Sequence, residues 1–312
     1  MKIFLCGIAG VLGSTLAKHF IDKEHEVSGN DKVRIEEAWR LEGYKDKLSY
    51  LWKSSTDLKY LDIANADVLI DCALESADRP FGINSPITTL LGNILAPLGV
   101  LETVRKLKDD NLKVPVCIYP SSFNVFYGHK ADVVIKEDTP PLTSSMYGWT
   151  KMAAEQLYMA YHKAYEIPVI VTRVGSAFGP AMRSDELVGR LIIYNLLGKD
   201  FNLRSPYAKR LWCYAEDVVS FYDKLIEHAS DFVGQILHCA GNRNDEIITN
   251  FDLANRVKDV TKSSIEIKLG EYEPGEMINK IPIDFKVDSS KTKKLLGWEP
   301  KFDIDTGLIK TM

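Results

Sequence analysis

The feature that most constrains this chain is its beginning. A short apolar run, Ile3-Phe4-Leu5, passes through Cys6 into Gly7-Ile8-Ala9-Gly10-Val11-Leu12-Gly13. Leu12, Leu16, Ala17 and Phe20 then recur at helical spacing. Few folds accommodate a strand, a glycine loop and a helix in that order. Glycines at GxxGxxG spacing permit a tight turn, a close approach of backbone to a pyrophosphate, and close packing of helix on strand. The start of the helix adds free N–H groups and the positive end of its dipole. Gly7, Gly10, Val11, Leu12 and Gly13 are therefore expected to cradle a dinucleotide.

The rest of the N-terminal half alternates short apolar runs with longer helical patterns. Glu26–Ser28, Asp67–Cys72, Val114–Tyr119 and Val169–Thr172 read as strands, and helices are expected over Ile87–Leu107 and Tyr147–Tyr165. Such alternation implies right-handed βαβ units and a parallel sheet covered on both faces. After residue 175 the texture changes: Gly175, Gly179, Pro180, Gly198 and Pro206 interrupt it. The expected fold is α/β, a Rossmann-type doubly wound parallel sheet with a smaller, mixed C-terminal substrate domain. Residues 1–174 are assigned to the first domain, with 208–240 returning to it; 175–207 and 241–312 are assigned to the second.

A length of 312 residues suits one large domain and one small one. With 46% apolar and 26% charged residues the composition is that of a soluble globular protein, and a net charge of −4 without a basic run gives no basis for nucleic-acid binding. No stretch reads as the ~20 apolar residues that span a bilayer, and no secretory signal precedes the first strand. Cys6, Cys72, Cys117, Cys213 and Cys239 lie in or beside apolar runs without CxxC spacing, so free thiols in a cytoplasmic protein are expected, with no metal site.

A carboxylate for the adenosine ribose is expected about 20 residues beyond the glycine loop. Asp31 stands there and favours NAD, because its charge repels a 2′-phosphate; Lys32 and Arg34 beside it leave NADP open. Asp62, with Ile63 next to it, falls where a second carboxylate could meet the adenine amino group. Tyr147-Gly148-Trp149-Thr150-Lys151 places Tyr147 and Lys151 on one helical face. A neighbouring ammonium and a cationic nicotinamide would bring the phenol down from its ordinary ~10 toward neutrality, making it an acid–base group. The third member should be a hydroxyl at the carboxyl end of the preceding strand, where Ser121 and Ser122 both stand.

At these residues the chain resembles the extended short-chain dehydrogenases/reductases, in particular the NAD-dependent epimerase/dehydratase family that acts on nucleotide sugars. The resemblance runs over nearly the whole chain. It sets Ala73 and Leu74, after Asp67-Val68-Leu69-Ile70-Asp71-Cys72, against the cofactor, with Asp71 in place of the family's usual histidine. It matches Asn93 to an asparagine on the family's long interface helix. It aligns Val125-Phe126 with the family's Val-Tyr, which puts the catalytic hydroxyl on Ser122 and leaves Ser121 beside the cofactor. Arg173-Val174-Gly175-Ser176-Ala177-Phe178-Gly179-Pro180 looks like R-x-x-N-x-Y-G-P, with Ser176 at the substrate-contacting asparagine. Lys209 to Asp217 looks like R-D-F-V-H-V-x-D, which implies that Arg210 meets the substrate's diphosphate or ribose. Asp288 to Trp298 resembles the family's closing D-x-S-K-A-x-x-L-G-W.

The family's 4,6-dehydratases carry Asp-Glu directly after the catalytic hydroxyl. Phe123 and Asn124 occupy those positions here, which disfavours dehydration and leaves Asn124 as a substrate contact. The resemblance then implies a nucleotide-sugar 4-epimerase working through Ser122, Tyr147 and Lys151. The alternatives are an NAD(P)H-dependent 4-ketoreductase using the same groups and a non-catalytic dinucleotide-binding regulatory subunit. Pairing of the helices that carry Asn93 and Tyr147 with those of a second copy implies a homodimer.

Overall fold

The computed structural model describes residues 1–75, 86–130, 133–270 and 286–312. Along the first half run β1 (Lys2–Cys6), α1 (Val11–Asp22), β2 (Glu26–Asp31), β3 (Ser49–Trp52), α2 (Tyr60–Ile63), β4 (Val68–Asp71), α3 (Pro86–Asp109), β5 (Val116–Ser122), β6 (Val134–Ile135), α4 (Met146–Tyr165) and β7 (Val169–Val174). The second half adds β8 (Ser176–Phe178), α5 (Leu187–Leu196), β9 (Phe201–Leu203), β10 (Lys209–Tyr214), α6 (Ala215–Glu227) and β11 (Ile236–Cys239). It ends with β12 (Ile247–Thr249), α7 (Asn250–Thr261), β13 (Ile267–Leu269), β14 (Lys286–Val287), α8 (Ser290–Leu296) and α9 (Ile304–Thr311).

Seven parallel strands form the main sheet in the order β11-β7-β5-β4-β1-β2-β3, a Rossmann-type arrangement. Its strands are apolar on both faces because both faces are covered. Along β1 the side chains alternate: Ile3 and Leu5 pack with Leu16 and Phe20 of α1 and Phe221 of α6, while Phe4 and Cys6 pack with Val100 and Val104 of α3 and Ala154 of α4. Strand order reverses between β1 and β4, and the crevice beyond their carboxyl ends is where open α/β sheets bind ligands.

The segment 208–240 returns to this sheet only in part. β10 pairs in parallel with β8 and antiparallel with β12 in a separate three-stranded sheet, and the return starts with α6 and ends in β11. The small sheet packs its own core, with Phe178, Trp212 and Ile248 against Leu191, Leu253 and Leu308.

α3 corrects the expectation that no stretch is apolar enough to span a bilayer. It is 24 residues long and reaches a mean hydropathy of 1.5 over 18 of them, which by length and composition alone is enough to cross a membrane. The reason lies in two apolar faces rather than one. Val100, Leu101, Val104 and Leu107 enter the core, whereas Ile87, Leu91 and Leu95 lie 73%, 47% and 44% exposed on another face.

Candidate active site

A cleft of about 600 Å³ opens at the carboxyl ends of β1, β2, β4 and β5. Its floor is the glycine loop. Gly7 sits at φ +69°, and a Cβ there would press on the backbone of Ala73. A Cβ on Gly13 would run into the Gly7 carbonyl oxygen. Gly10 starts α1 without a side-chain cap, so the N–H groups of the first turn keep their donors for an anion. Asp31, at the end of β2, accepts from the Ala9 N–H at 3.0 Å and the Val33 N–H at 3.0 Å, which fixes its carboxylate beside the loop. Lys32 is largely exposed and lies 3.7 Å from Glu75, while Arg34 lies over the Trp52 ring at 4.4 Å. Ala73 and Leu74 line the same cleft. A loop of free donors, a fixed carboxylate and an apolar wall fit a dinucleotide, and these residues are the ones that would hold it.

Asp62 and Ile63 are placed elsewhere. Asp62 accepts from the Lys59 N–H at 2.8 Å and from Lys53 Nζ at 2.9 Å, as the cap and counter-ion of α2. Ile63 is buried against α3. The cleft is lined at this end by Lys53, Ser54 and Ser55, directly after β3. β3 is an edge strand, only half-buried, and its short Tyr50-Leu51-Trp52 run is flanked by Ser49 and Lys53.

The catalytic candidates meet at the other end. Ser122 closes β5, and its Oγ accepts from the Asn124 N–H at 3.2 Å and the Asn124 side-chain amide at 3.1 Å. Asn124 is thereby spent on positioning Ser122 and is not among the cleft-lining residues. Tyr147 and Lys151 rise from the first turns of α4, whose start is capped by Ser145. Burial pushes the Tyr147 phenol up, and a hydrogen bond with Ser122 pulls the other way. The downward shift expected from sequence is absent: Lys151 is not among the charges acting on the phenol, and Glu186 and Tyr127 add to the upward push. Burial brings Lys151 down to about 8, against the pull of Asp71 and Cys72. Its Nζ donates to the Pro120 carbonyl at 2.8 Å.

Ser121 faces the opposite way, as neighbours on a strand must. Its Oγ donates to Glu155 at 3.0 Å, and Glu155 pairs with Arg173, both fully buried. Arg173 also donates to the Glu137 carbonyl, and the Glu137 side chain accepts from both the N–H and the hydroxyl of Thr292 in α8. Asn93 is buried between helices: its amide donates to Thr150 at 3.2 Å and its oxygen accepts from the Glu75 N–H at 2.8 Å. It holds the chain that follows β4 rather than lining the cleft.

Ser176 and Arg210 lie in the small sheet, Ser176 opposite Trp212 and Arg210 opposite Ile248. Neither lines the cleft, though Gly175 and Ala177 on either side of Ser176 do. Arg210 Nε is buried and has no partner among the described residues. Arg40, Arg183 and Glu186 line the cleft without having been anticipated. Arg40 Nε donates to the Ala181 carbonyl at 2.8 Å, joining the loop after β2 to the loop after β8. Both segments are irregular, so no periodicity announces them. No cluster of metal-ligating side chains occurs among the described residues.

The chain is similar along its whole length to known proteins. The family model described as GDP-mannose 4,6 dehydratase matches residues 4–312. UDP-glucuronic acid decarboxylase 6 of Arabidopsis thaliana is 27% identical, over 99% of this chain and 87% of that protein. The UDP-glucuronate 4-epimerase of Thermodesulfobacterium geofontis is also 27% identical, over 98% of this chain and 93% of that protein. Among solved structures, UDP-glucuronic acid 4-epimerase from Bacillus cereus, in complex with UDP-glucuronic acid and NAD, superposes with a TM-score of 0.86 at 21% identity, covering 100% of this chain and 98% of that one. A match of this extent, on a Rossmann-type sheet with a glycine loop and YxxxK in place, means that the chain belongs to the GDP-mannose 4,6 dehydratase family of extended short-chain dehydrogenases/reductases.

Proposed function

We propose that this protein is an NAD-dependent nucleotide-sugar 4-epimerase, in which the Rossmann half holds NAD and the cleft wall from the small sheet receives the sugar nucleotide. The observation that carries the reading is the meeting of Ser122, Tyr147 and Lys151 in one cleft with Phe123 and Asn124, not acids, following the hydroxyl. Bound NAD supplies the place where a hydride is taken up and returned. Tyr147 takes the proton of the sugar's C4 hydroxyl and later gives it back. Ser122 holds the C4 oxygen, and Asn124 fixes Ser122 by donating to it twice. The Lys151 ammonium lowers the cost of the Tyr147 phenolate. Inversion requires that the 4-keto sugar present its other face before reduction. Phe123 packs against Phe126 and His238, so it can move no proton.

NAD is preferred over NADP because Asp31, fixed beside the glycine loop, would repel a 2′-phosphate there, while Lys32 and Arg34 are engaged by Glu75 and Trp52. The same engagement weakens the ketoreductase alternative, which leaned on those cations. A second reading is decarboxylation of a nucleotide uronic acid, favoured by the Arabidopsis relative. Both readings pass through a 4-keto sugar, and one substrate separates them. UDP-glucuronic acid incubated with the purified protein gives a 4-epimer that keeps its carboxylate under the first reading, and a pentose nucleotide with CO₂ under the second. No conversion of any UDP-, dTDP- or GDP-sugar would refute both.

The protein is further proposed to pair with a second copy through the exposed Ile87, Leu91 and Leu95 of α3 together with Trp149 of α4, a stripe too apolar to face water without a partner. A monomeric mass by sedimentation at micromolar concentration would refute it. All five thiols are free, which suits a reducing compartment.

A further inference from the structure

Asp71 closes β4 at the base of the cleft, and the mechanism above leaves it without a task. It is fully buried. Its Oδ2 accepts from the Tyr158 hydroxyl at 2.8 Å and its Oδ1 from the Ala73 N–H at 3.2 Å. A donor on each oxygen is the pattern a carboxylate takes. Tyr158 stacks on Tyr119 with ring centres 4.7 Å apart, and Lys151 Nζ lies 4.7 Å from the centre of the same Tyr119 ring. The carboxylate, the two phenol rings and the ammonium thus form one buried wall under the catalytic tyrosine.

The titratable groups that face this wall come from each packed element: Cys72 from β4, Cys6 from β1, Cys117 and Tyr119 from β5, and Tyr147, Glu155 and Tyr158 from α4. Burial pushes the thiols of Cys6, Cys72 and Cys117 and the phenols of Tyr119 and Tyr158 up, so they stay neutral. Glu155 is taken by Arg173. Burial raises the Asp71 carboxyl as well, opposed by the Tyr158 hydrogen bond, the Lys151 charge and the Ala73 N–H. Among the described residues that face this wall, an ionised Asp71 is the anion left to balance the Lys151 cation in a low-dielectric setting, where losing either strands the other.

We propose that Asp71 is a positioning residue for Lys151, a buried counter-charge that keeps the lysine an ammonium while Tyr147 exchanges its proton. This rests on reading Tyr147 and Lys151 as the acid–base pair. Without the carboxylate, burial would act on Lys151 with its main opposing charge gone and push the ammonium further toward the amine. Asparagine at position 71 would keep the shape and hydrogen-bond to Tyr158, but it would carry no charge.

The test is a pH titration of the whole protein, with no nucleotide added, labelled with ¹³Cε-lysine and followed by NMR; Lys151→Arg assigns the signal. The wild-type midpoint is expected near 8. In Asp71→Asn it should fall by about one unit or more. A midpoint that stays put or rises in Asp71→Asn overturns the proposal. A second measurement needs no variant at position 71: the wild-type Asp71 carboxyl carbon, assigned through its own backbone, should be ionised at pH 7, and a neutral Asp71 there overturns the proposal whatever the variant does. Neither readout involves a sugar. Failure to turn over any nucleotide sugar would leave the counter-charge standing, and an active enzyme with an unmoved lysine would remove only the counter-charge.

Discussion

The two ends of the cleft are built on opposite principles. At the closed end, beneath Ser122, Tyr147 and Lys151, charges are buried and each is matched by a fixed partner: Lys151 by Asp71, and Glu155 by Arg173. At the open end Lys32, Arg34 and Lys53 meet their partners within reach of solvent. Two unit charges 4 Å apart interact by about 1 kcal/mol in water and about 4 kcal/mol at an effective dielectric of 20. Exposed pairs accordingly contribute about 0–1 kcal/mol, whereas breaking a buried pair costs about 3–5 kcal/mol. The difference separates two kinds of work. Under the proposed function, the closed end would fix the protonation states that proton transfer requires. The open end holds the far half of a long ligand through backbone donors, one carboxylate and fit.

If that separation holds, Tyr147→Phe should lower turnover by about 10²- to 10⁴-fold, with NAD affinity by fluorescence titration little changed. A parallel fall in affinity would mean that the ends are not independent. Glu155→Gln leaves Arg173 buried without its carboxylate and should lower stability to urea by about 3–5 kcal/mol. A loss under 1 kcal/mol would place the pair among the exposed kind.

His238 offers a pH readout of the closed end. It is fully buried against Phe123 and Phe126, neither ring nitrogen has a partner among the described residues, and burial, followed by the Arg173 charge, holds it well below the ordinary histidine value. Its folded state is therefore neutral while the unfolded chain takes up a proton below about 6.5. The unfolded state then binds more protons, so stability should fall as pH drops through that value, by up to about 1.4 kcal/mol per pH unit. Urea melts at pH 7.5 and 5.5 should differ more for the wild type than for His238→Asn; equal differences would remove His238 from the account. The smallest effects belong to the open end. Asp31→Ala frees two backbone donors beside the glycine loop and should weaken NAD about tenfold. Lys32→Ala should change NAD affinity and stability by less than about 1 kcal/mol each.

The same contrast governs what the sequence discloses. The glycine loop, Ser122 and YxxxK each occupy a short window with a local reason for its residues, and β1, β4, β5 and β7 are apolar because both faces of the sheet are covered. The open end has no such windows. β3 is a half-buried edge strand of only four residues, and spacing alone points to Asp62, which in the structure caps α2. Arg40 reaches the cleft from a single 3-10 turn and Arg183 from a loop, neither long enough to carry a periodicity. α3 carries a core face and an outward apolar face, and a single periodicity cannot separate them. β10 has the look of a main-sheet strand, yet its partners β8 and β12 are set by long-range pairing that no local pattern contains. Ser121 and Ser122 are indistinguishable as residue types; the alignment of Val125-Phe126 separates them, and their different partners across β5 give the physical reason.

That opposition leaves the catalytic hydroxyl very little slack. Ser122 is one peptide unit from Ser121, Ser121 is tied to Glu155, Glu155 to Arg173, Arg173 to the carbonyl of Glu137, and Glu137 to Thr292 in the last fifty residues. The seating of the C-terminal segment and the aim of the Ser122 hydroxyl are ends of one tether. A chain still emerging during synthesis, before Thr292 is in place, has its cofactor loop and its YxxxK helix but lacks the Thr292–Glu137 link at the far end of that tether.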